Sequence, residues 1–322
     1  MDGKRMTADH QAQRIRALLL GVAVGDALGV PVEFRTRGSF HIDGMRGHGS
    51  HDQPAGAWSD DTSLTLALAD AMEDGRVALP RLARNFIAWH DTGAYTAHGT
   101  AFDIGNATAR AIGRLKRGVA PAQAGGVEER DNGNGSLMRV APLVFLLAER
   151  SPEARFRLVR DVSSVTHAHA WSVTACFLLL EMLGKLLAGR PKDAAYAELR
   201  AEMAAPPAFL DAAALTRFRR ILNADIRELQ ESEIRSSGFV IDTLEAALWC
   251  FLTTGTYRDA VLRAVNLGED TDTTGAVTGA LAPMAYGLEA IPAEWIAQLQ
   301  GRQQIETTSL SIKKINIFEF HH

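Results

Sequence analysis

The apolar residues of this chain recur at the spacing of a helix, and nothing else in the sequence constrains the fold as strongly. Segments 16–27, 63–72, 79–89, 137–147, 171–187, 213–226, 239–251 and 274–286 each repeat their apolar residues at that period. Ala, Leu, Arg and Glu dominate them, all strong helix formers. No alternating run long enough for a central strand occurs before residue 300. The expectation is an all-α fold of ten or more helices. Helix-start signals agree. Pro80 follows Leu79 at a first-turn position, Ser151-Pro152-Glu153 reads as a cap and first turn, and Pro292 with Glu294 reads the same way.

Composition narrows the function classes. The 322 residues are 47% hydrophobic and 22% charged, which excludes a disordered or low-complexity protein. The 34 Lys+Arg against 38 Asp+Glu give a net charge of -4, so nucleic acid is not the expected partner. Cys176 and Cys250 sit in apolar runs and suit a buried apolar role rather than a disulfide framework or thiolate metal site. The first sixteen residues are polar and lack the apolar core of a signal peptide. The apolar runs 140–148 and 176–180 are too short to span a bilayer, so no membrane role and a cytoplasmic location are expected.

One domain is expected over residues 11–302. The best candidate boundary, 204–209 (AAPPAF), is short and has helices of like character on both sides. The Gly-rich segments 38–56 and 125–135 read as long loops, dotted with His and Asp, that suit either a functional surface or plain surface variation. Residues 309–322, SLSIKKINIFEFHH, change abruptly in composition. They read as a non-native or disordered tail, against the alternative of an edge strand or partner-binding segment.

The strongest chemical signal is carboxylates at helix starts. Ser59-Asp60-Asp61-Thr62 runs into one apolar helix, and Glu269-Asp270-Thr271-Asp272-Thr273 into another. Capping explains one such residue per helix, because Asp and Ser satisfy free N–H groups there. Two Asp with flanking hydroxyls at both sites exceed what capping asks. Clustered carboxylates repel, and a hard divalent cation relieves that repulsion through oxygen ligands. If the two segments meet in space, they suit Mg²⁺ or Mn²⁺.

Other polar residues stand in unusual company. Asp26 ends an apolar helix, and Glu33 follows Pro31 in a loop. Asp103 is placed at a helix start. Residues 131–139, DNGNGSLMR, read as a turn entering a helix, whose N–H groups suit an anion, with Arg139 adding charge. His167 and His169 open a further helix two residues apart, a spacing that disfavours a helical zinc pair and leaves capping or ligand contact.

Together these segments resemble the ADP-ribosylglycohydrolase family, which contains the dinitrogenase reductase-activating glycohydrolases. The resemblance rests on GVAVGDALGVPVE at 21–33, WSDDTSLTLALA at 58–69, GNGSLMRVAP at 133–142, SVTHAH at 164–169 and NLGEDTDTTGAVTGAL at 266–281. It implies an all-α domain with a cleft for two Mg²⁺ or Mn²⁺ ions. The implied activity is hydrolysis of the bond between ADP-ribose and a modified side chain. By this resemblance the metal residues are Ser59, Asp60, Asp61, Asp270, Asp272 and Thr273, with Ser59 replacing a more usual hydroxyl residue. Glu33, Asp103 and Asp61 take the catalytic places. Gly133, Gly135, Ser136, Leu137, Met138 and His167 take the ADP-ribose contacts. The implied partners are an ADP-ribosylated protein as substrate and ADP-ribose as product.

The chemistry suits these residue types. Cleavage builds charge at the anomeric carbon, a metal fixes the ribose and activates water, and Glu33 or Asp103 serves as general acid or base. A mobile Glu33 loop would make closure part of the cycle. The acidic Glu33, Asp26 and Asp103 favour a cationic guanidinium leaving group, hence ADP-ribosyl-arginine over the serine-linked form. Competing readings are a phosphohydrolase-like dimetal enzyme, which would want more metal-binding His, and a silent ADP-ribose-binding or toxin-neutralising relative, which should have lost a metal-motif residue.

Overall fold

The computed structural model describes residues 8–313. Among them run fourteen α-helices joined by short 3-10 turns. They are α1 (Ala8–Gly29), α2 (Asp60–Asp70), α3 (Leu79–Thr92), α4 (Asn106–Lys116), α5 (Pro152–Ser163), α6 (Ala170–Leu187) and α7 (Lys192–Ala204). There follow α8 (Ala212–Leu215), α9 (Arg219–Leu222), α10 (Val240–Leu252), α11 (Tyr257–Asn266), α12 (Thr271–Tyr286), α13 (Ala293–Gln298) and α14 (Arg302–Lys313). The one sheet among the described residues is a hairpin pairing Met72–Glu73 with Arg76–Val77. Its Asp74-Gly75 turn has both residues at positive φ, as a two-residue hairpin requires. The fold is all-α, as the periodicity predicts.

Helix α1 runs through the centre, packed along its length against α12. Three glycines four residues apart on α1 make this possible. A Cβ on Gly21 would fall 2.2 Å from the Gly279 oxygen, and one on Gly25 would fall 2.1 Å from the Gly275 oxygen. One on Gly29 would fall 2.3 Å from the Asp272 nitrogen. Residue numbers rise along α1 as they fall along α12, so the two helices are antiparallel. The C-terminal end of α1 therefore lies beside the N-terminus of α12, where Thr271 Oγ1 donates to the Gly29 carbonyl at 2.8 Å.

By length and composition α1 and α6 could each cross a membrane, but 94% and 72% of their apolar windows are buried inside the protein. Cys176 and Cys250 are free thiols in this core.

Three sequence expectations need correction. Segment 137–147 is not an α-helix but a turn followed by the 3-10 helix Ala141–Leu146. Pro142 lacks an N–H and its ring crowds the preceding turn. Segment 213–226 breaks into α8, a 3-10 turn and α9, and Asp225 then caps a new turn by accepting from Arg227 N at 3.0 Å. The tail also differs. Residues 309–313 belong to α14, where Ile305, Ser309 and Ile312 are buried, and Glu306 on the same helix grips Arg16 with two bonds of 2.7 and 2.8 Å. The rest of the expected tail, 314–322, lies outside the described residues. Residues 205–209 form the loop after α7, and Phe209 packs against Phe156 and edge-on against Phe177.

Candidate functional site

The antiparallel crossing brings three helix ends together. Asp26, fully buried in the last turn of α1, reaches the start of α2. It accepts from Ser59 N at 2.9 Å, Thr62 N at 3.0 Å and Thr62 Oγ1 at 2.6 Å. Asp26 is thus a cap supplied from another helix, its charge placed at the positive end of α2. It is paired rather than free for a ligand. Burial still raises its pKa to about 6, against the lowering effect of these hydrogen bonds.

Ser59 caps α2 from within, its Oγ accepting from Asp61 N at 3.2 Å. At the facing helix, Asp270 occupies the cap position of α12 but makes no capping bond with its side chain. Thr273 Oγ1 donates across the gap to Asp61 Oδ2 at 3.3 Å. The two acidic motifs therefore meet, the condition the sequence left open.

Glu33, at the end of the turn after α1, is 4% exposed. One ligand oxygen each from Glu33, Asp270 and Asp272 lie within 4.8 Å of one another. Ligand atoms of Glu33, His51 and Asp103 form a second such group. Asp103 is not at a helix start as expected. It precedes the α4 cap, Gly105, by two residues and has φ 58°. This left-handed backbone is uncommon for a residue with a side chain and recurs at functional loops.

Three buried side-chain oxygens have no hydrogen-bond partner among the described residues: Asp61 Oδ1, Asp270 Oδ1 and Asp272 Oδ2. All three lie in the acidic motifs. Burying a carboxylate oxygen unpaired is costly, and buried charges in proteins are paired or coordinate metals. Burial pushes the pKa values of Asp60, Asp61 and Asp272 well above the carboxylate range, and neighbouring acids add to it. Burial, then Asp103 and Asp270, push Glu33 up to about 10. This donor set, hard oxygens without counter-charge, fits divalent cations that prefer oxygen ligands.

The 133–138 turn borders the same space. Asn134 Nδ2 donates to Asp270 Oδ2 at 2.8 Å, tying the turn to the second motif. It does not enter an α-helix. The N–H groups of Gly135, Ser136 and Leu137 meet no acceptor among the described residues. Ser136, Leu137 and Met138 are buried in the core, backbone included, and the partly open positions of the turn are Gly133 and Gly135. Arg139 does not face an anion either. It is fully buried, stacks on Phe86 and donates to Val162 O and Thr166 Oγ1.

His167 backs this turn. Thr166 Oγ1 accepts from Arg139 and is hydrogen-bonded to His167 Nδ1 at 2.8 Å. Where the hydroxyl gives its proton to Nδ1, the neutral imidazole carries its own on Nε2, the nitrogen turned toward Gly133 and Gly135. Burial, with Arg139 nearby, lowers its pKa to about 3. His169 is the cap of α6, its Nδ1 accepting from Trp171 N at 3.2 Å.

His51 was missed. A lone His in a polar, Gly-rich loop carries no local signal. Only the fold shows that residues 49–51 close over Glu33. The glycines at 21, 25, 29, 275 and 279 were a readable signal of close helix packing, since four-residue spacing puts them on one helix face.

An all-α domain that gathers carboxylates where two helices start offers a set of oxygen ligands that fits a divalent cation. The sequence pattern of the ADP-ribosylglycohydrolase family matches residues 6–317, and the chain belongs to that family of glycohydrolases. ADP-ribosylarginine hydrolase Tri1 of Pseudomonas putida is 34% identical over 94% of this chain and 78% of its own length. ADP-ribosyl-[dinitrogen reductase] glycohydrolase of Rhodospirillum rubrum is 30% identical over 94% of this chain and 95% of its own. A solved structure described as an ADP-ribosylglycohydrolase-related protein complex is 33% identical, with a TM-score of 0.80 over 95% of this chain and 99% of that one.

Proposed function

We propose that this protein removes ADP-ribose from arginine side chains of mono-ADP-ribosylated proteins, with two Mg²⁺ or Mn²⁺ ions held between α2 and α12. The observation that carries the proposal is the three partnerless buried oxygens of Asp61, Asp270 and Asp272. Ser59, Asp60, Asp61, Asp270, Asp272 and Thr273 would hold the ions. When bound, such a pair supplies Lewis acidity and fixed positive charge beside the ribose.

The chain's own residues do the rest. The amide of Gly135 and the His167 Nε2–H donate to the phosphate or ribose oxygens of ADP-ribose. Hydrolysis breaks the bond from ribose C1 to the guanidinium nitrogen and forms one from C1 to a water oxygen. A proton from that water must reach the leaving nitrogen. The Glu33–Asp103 pair is the proton-handling group beside the motifs, and Asp103, with its side chain 20% exposed, faces solvent more than Glu33.

The arginine linkage is supported by two relatives named ADP-ribosylarginine hydrolase. It is also supported by the carboxylates of Glu33 and Asp103, which suit a cationic leaving group. Asp26 does not add to this, being spent on the start of α2. The test is a side-by-side assay of arginine-modified and serine-modified protein, read by mass spectrometry. Free ADP-ribose and unmodified arginine are expected. Release from serine alone overturns the linkage, and release from neither favours an ADP-ribose-binding role.

A further inference from the structure

Glu33 and the residue after it are held from three sides by groups other than the six candidate metal residues. The Glu33 carbonyl accepts from Ser50 Oγ at 2.6 Å. The next amide, Phe34 N–H, donates to the Glu269 carbonyl at 2.6 Å, with both residues in left-handed backbone. Its carboxylate Oε2 bonds to His51 Nε2. Once Glu33 is ionised, as beside a bound cation, its oxygen accepts and the imidazole donates.

His51 is itself held in place. Its ring centroid lies 5.8 Å from that of Phe34 and 5.3 Å from that of Phe102. The turn Gly49–His51 presses on the turn before Glu33, so that a Cβ on Gly49 would fall 1.9 Å from the Pro31 oxygen. Gly49 also has φ 73°, a conformation that favours glycine. The His51 side chain is 15% exposed, and Nε2 also lies 3.8 Å from Asp103 Oδ1. One imidazole nitrogen thus stands between the two carboxylates that face each other beside the metal motifs.

We propose that His51 is the positioning residue for Glu33. Its Nε2–H keeps the Glu33 carboxylate turned inward, toward the ligand oxygens of Asp270 and Asp272 and beside Asp103. His51 acts through Glu33 and not on the ribose. A carboxylate released from this bond would have lower-energy positions in solvent, because its neighbours in the cleft are acids that repel it. The kinetic part of this inference rests on the proposed glycohydrolase reaction, and the structural part does not.

The test uses the full-length, Mn²⁺-loaded protein and four variants: His51→Ala, His51→Gln, Glu33→Gln and the Ala/Gln double variant. His51→Ala is expected to lower kcat by about 10- to 100-fold, the usual range for a group that orients a site residue, with KM changed about twofold or less. His51→Gln, which keeps an N–H donor, should recover part of the loss. In the Glu33→Gln background the same His51→Ala change should cost little, because its target is gone. Equal losses in both backgrounds, or a Gln variant no better than Ala, overturn the proposal. Hydrogen–deuterium exchange gives a readout that needs no substrate. Segment 30–37 should exchange faster in His51→Ala while the melting temperature moves by no more than a few degrees. Unchanged exchange there overturns the proposal even if the wild-type protein fails to release ADP-ribose from arginine, a failure that would count against the function alone.

Discussion

Thr273 Oγ1 donates to Asp61 Oδ2 at 3.3 Å, although the two residues are 212 positions apart. This contact joins the start of α12 to the start of α2, so each acidic motif completes the other. The chain between them folds around the junction. Helix α1 supplies the third wall, with Asp26 capping α2 and Gly29 receiving the Thr271 hydroxyl.

Removal of divalent cations should abolish turnover and lower stability together. In EDTA the buried acids lose their counter-charge, and adding Mg²⁺ or Mn²⁺ should restore both activity and melting temperature. Saturation at a hundred times Kd corresponds to about 2.7 kcal/mol of stabilisation. Asp61→Asn should show the reverse pattern. It removes one buried negative charge from a repelling cluster, so the cation-free variant should melt higher than cation-free wild type, yet it should gain little from added metal and turn over no substrate. Calorimetric scans with and without Mn²⁺ check this. A cation response equal to wild type would remove Asp61 from the metal set.

The Gly25 contact should be intolerant of any side chain. A Cβ there would lie 2.1 Å from backbone, the Gly275 oxygen, which cannot rotate away. Gly25→Ala must push α1 from α12, at a cost of about 1–3 kcal/mol or more. The same displacement moves Asp26 and Asp272 apart, so Mn²⁺ affinity should fall with stability. Urea unfolding and calorimetric titration of one preparation measure both. Retained Mn²⁺ affinity in a destabilised variant would show that the site does not depend on this crossing.

Much of this architecture is legible in the sequence, for identifiable reasons. Helices α1, α2, α6, α10 and α12 carry unbroken apolar periodicity, and their burial follows from it. The SDDT and GEDTDTTG motifs stand out because they hold more carboxylate than caps need. What was not legible depends on neighbours distant in sequence. Arg139 looks like a charge for an anion until Phe86 and Thr166 are seen to enclose it. Segment 213–226 looks like one helix until Tyr196 is seen to bond both sides of its break, donating to Ile221 O and accepting from Ile226 N. His51 has meaning only beside Glu33.

His167 should make the wild-type protein acid-sensitive. Its native pKa is lowered to about 3, while an unfolded His titrates near 6.5. Between these values the unfolded chain binds a proton that the native protein refuses. This contribution to stability is therefore present in full above about pH 6.5 and is lost as pH falls toward 3, by at most about 1.4 kcal/mol per pH unit. The buried carboxylates act with the opposite sign, so the effect is best read as a difference. The stability advantage of wild type over His167→Gln should be largest at neutral pH and shrink on acidification. A difference independent of pH would mean that His167 titrates normally in the fold.

The 133–138 turn should be tested at Gly133 rather than Gly135. A Cβ on Gly135 would stand 2.8 Å from His167 Cε1 and 3.0 Å from Thr108 Oγ1, so a larger residue there would disturb the buried wall and not only the ligand. At Gly133 the nearest atom, His167 Nε2, is 3.6 Å away, an ordinary contact. Gly133→Ala should therefore fold normally. Its new methyl group lies over the His167 Nε2–H that is proposed to donate to ADP-ribose. Losing one such hydrogen bond from a bound ligand costs about 1 kcal/mol, or about fivefold in affinity. Calorimetry with ADP-ribose and Mn²⁺ should show that loss with the melting temperature unchanged. Unaltered affinity would assign this turn to the fold alone and leave its backbone donors without a ligand.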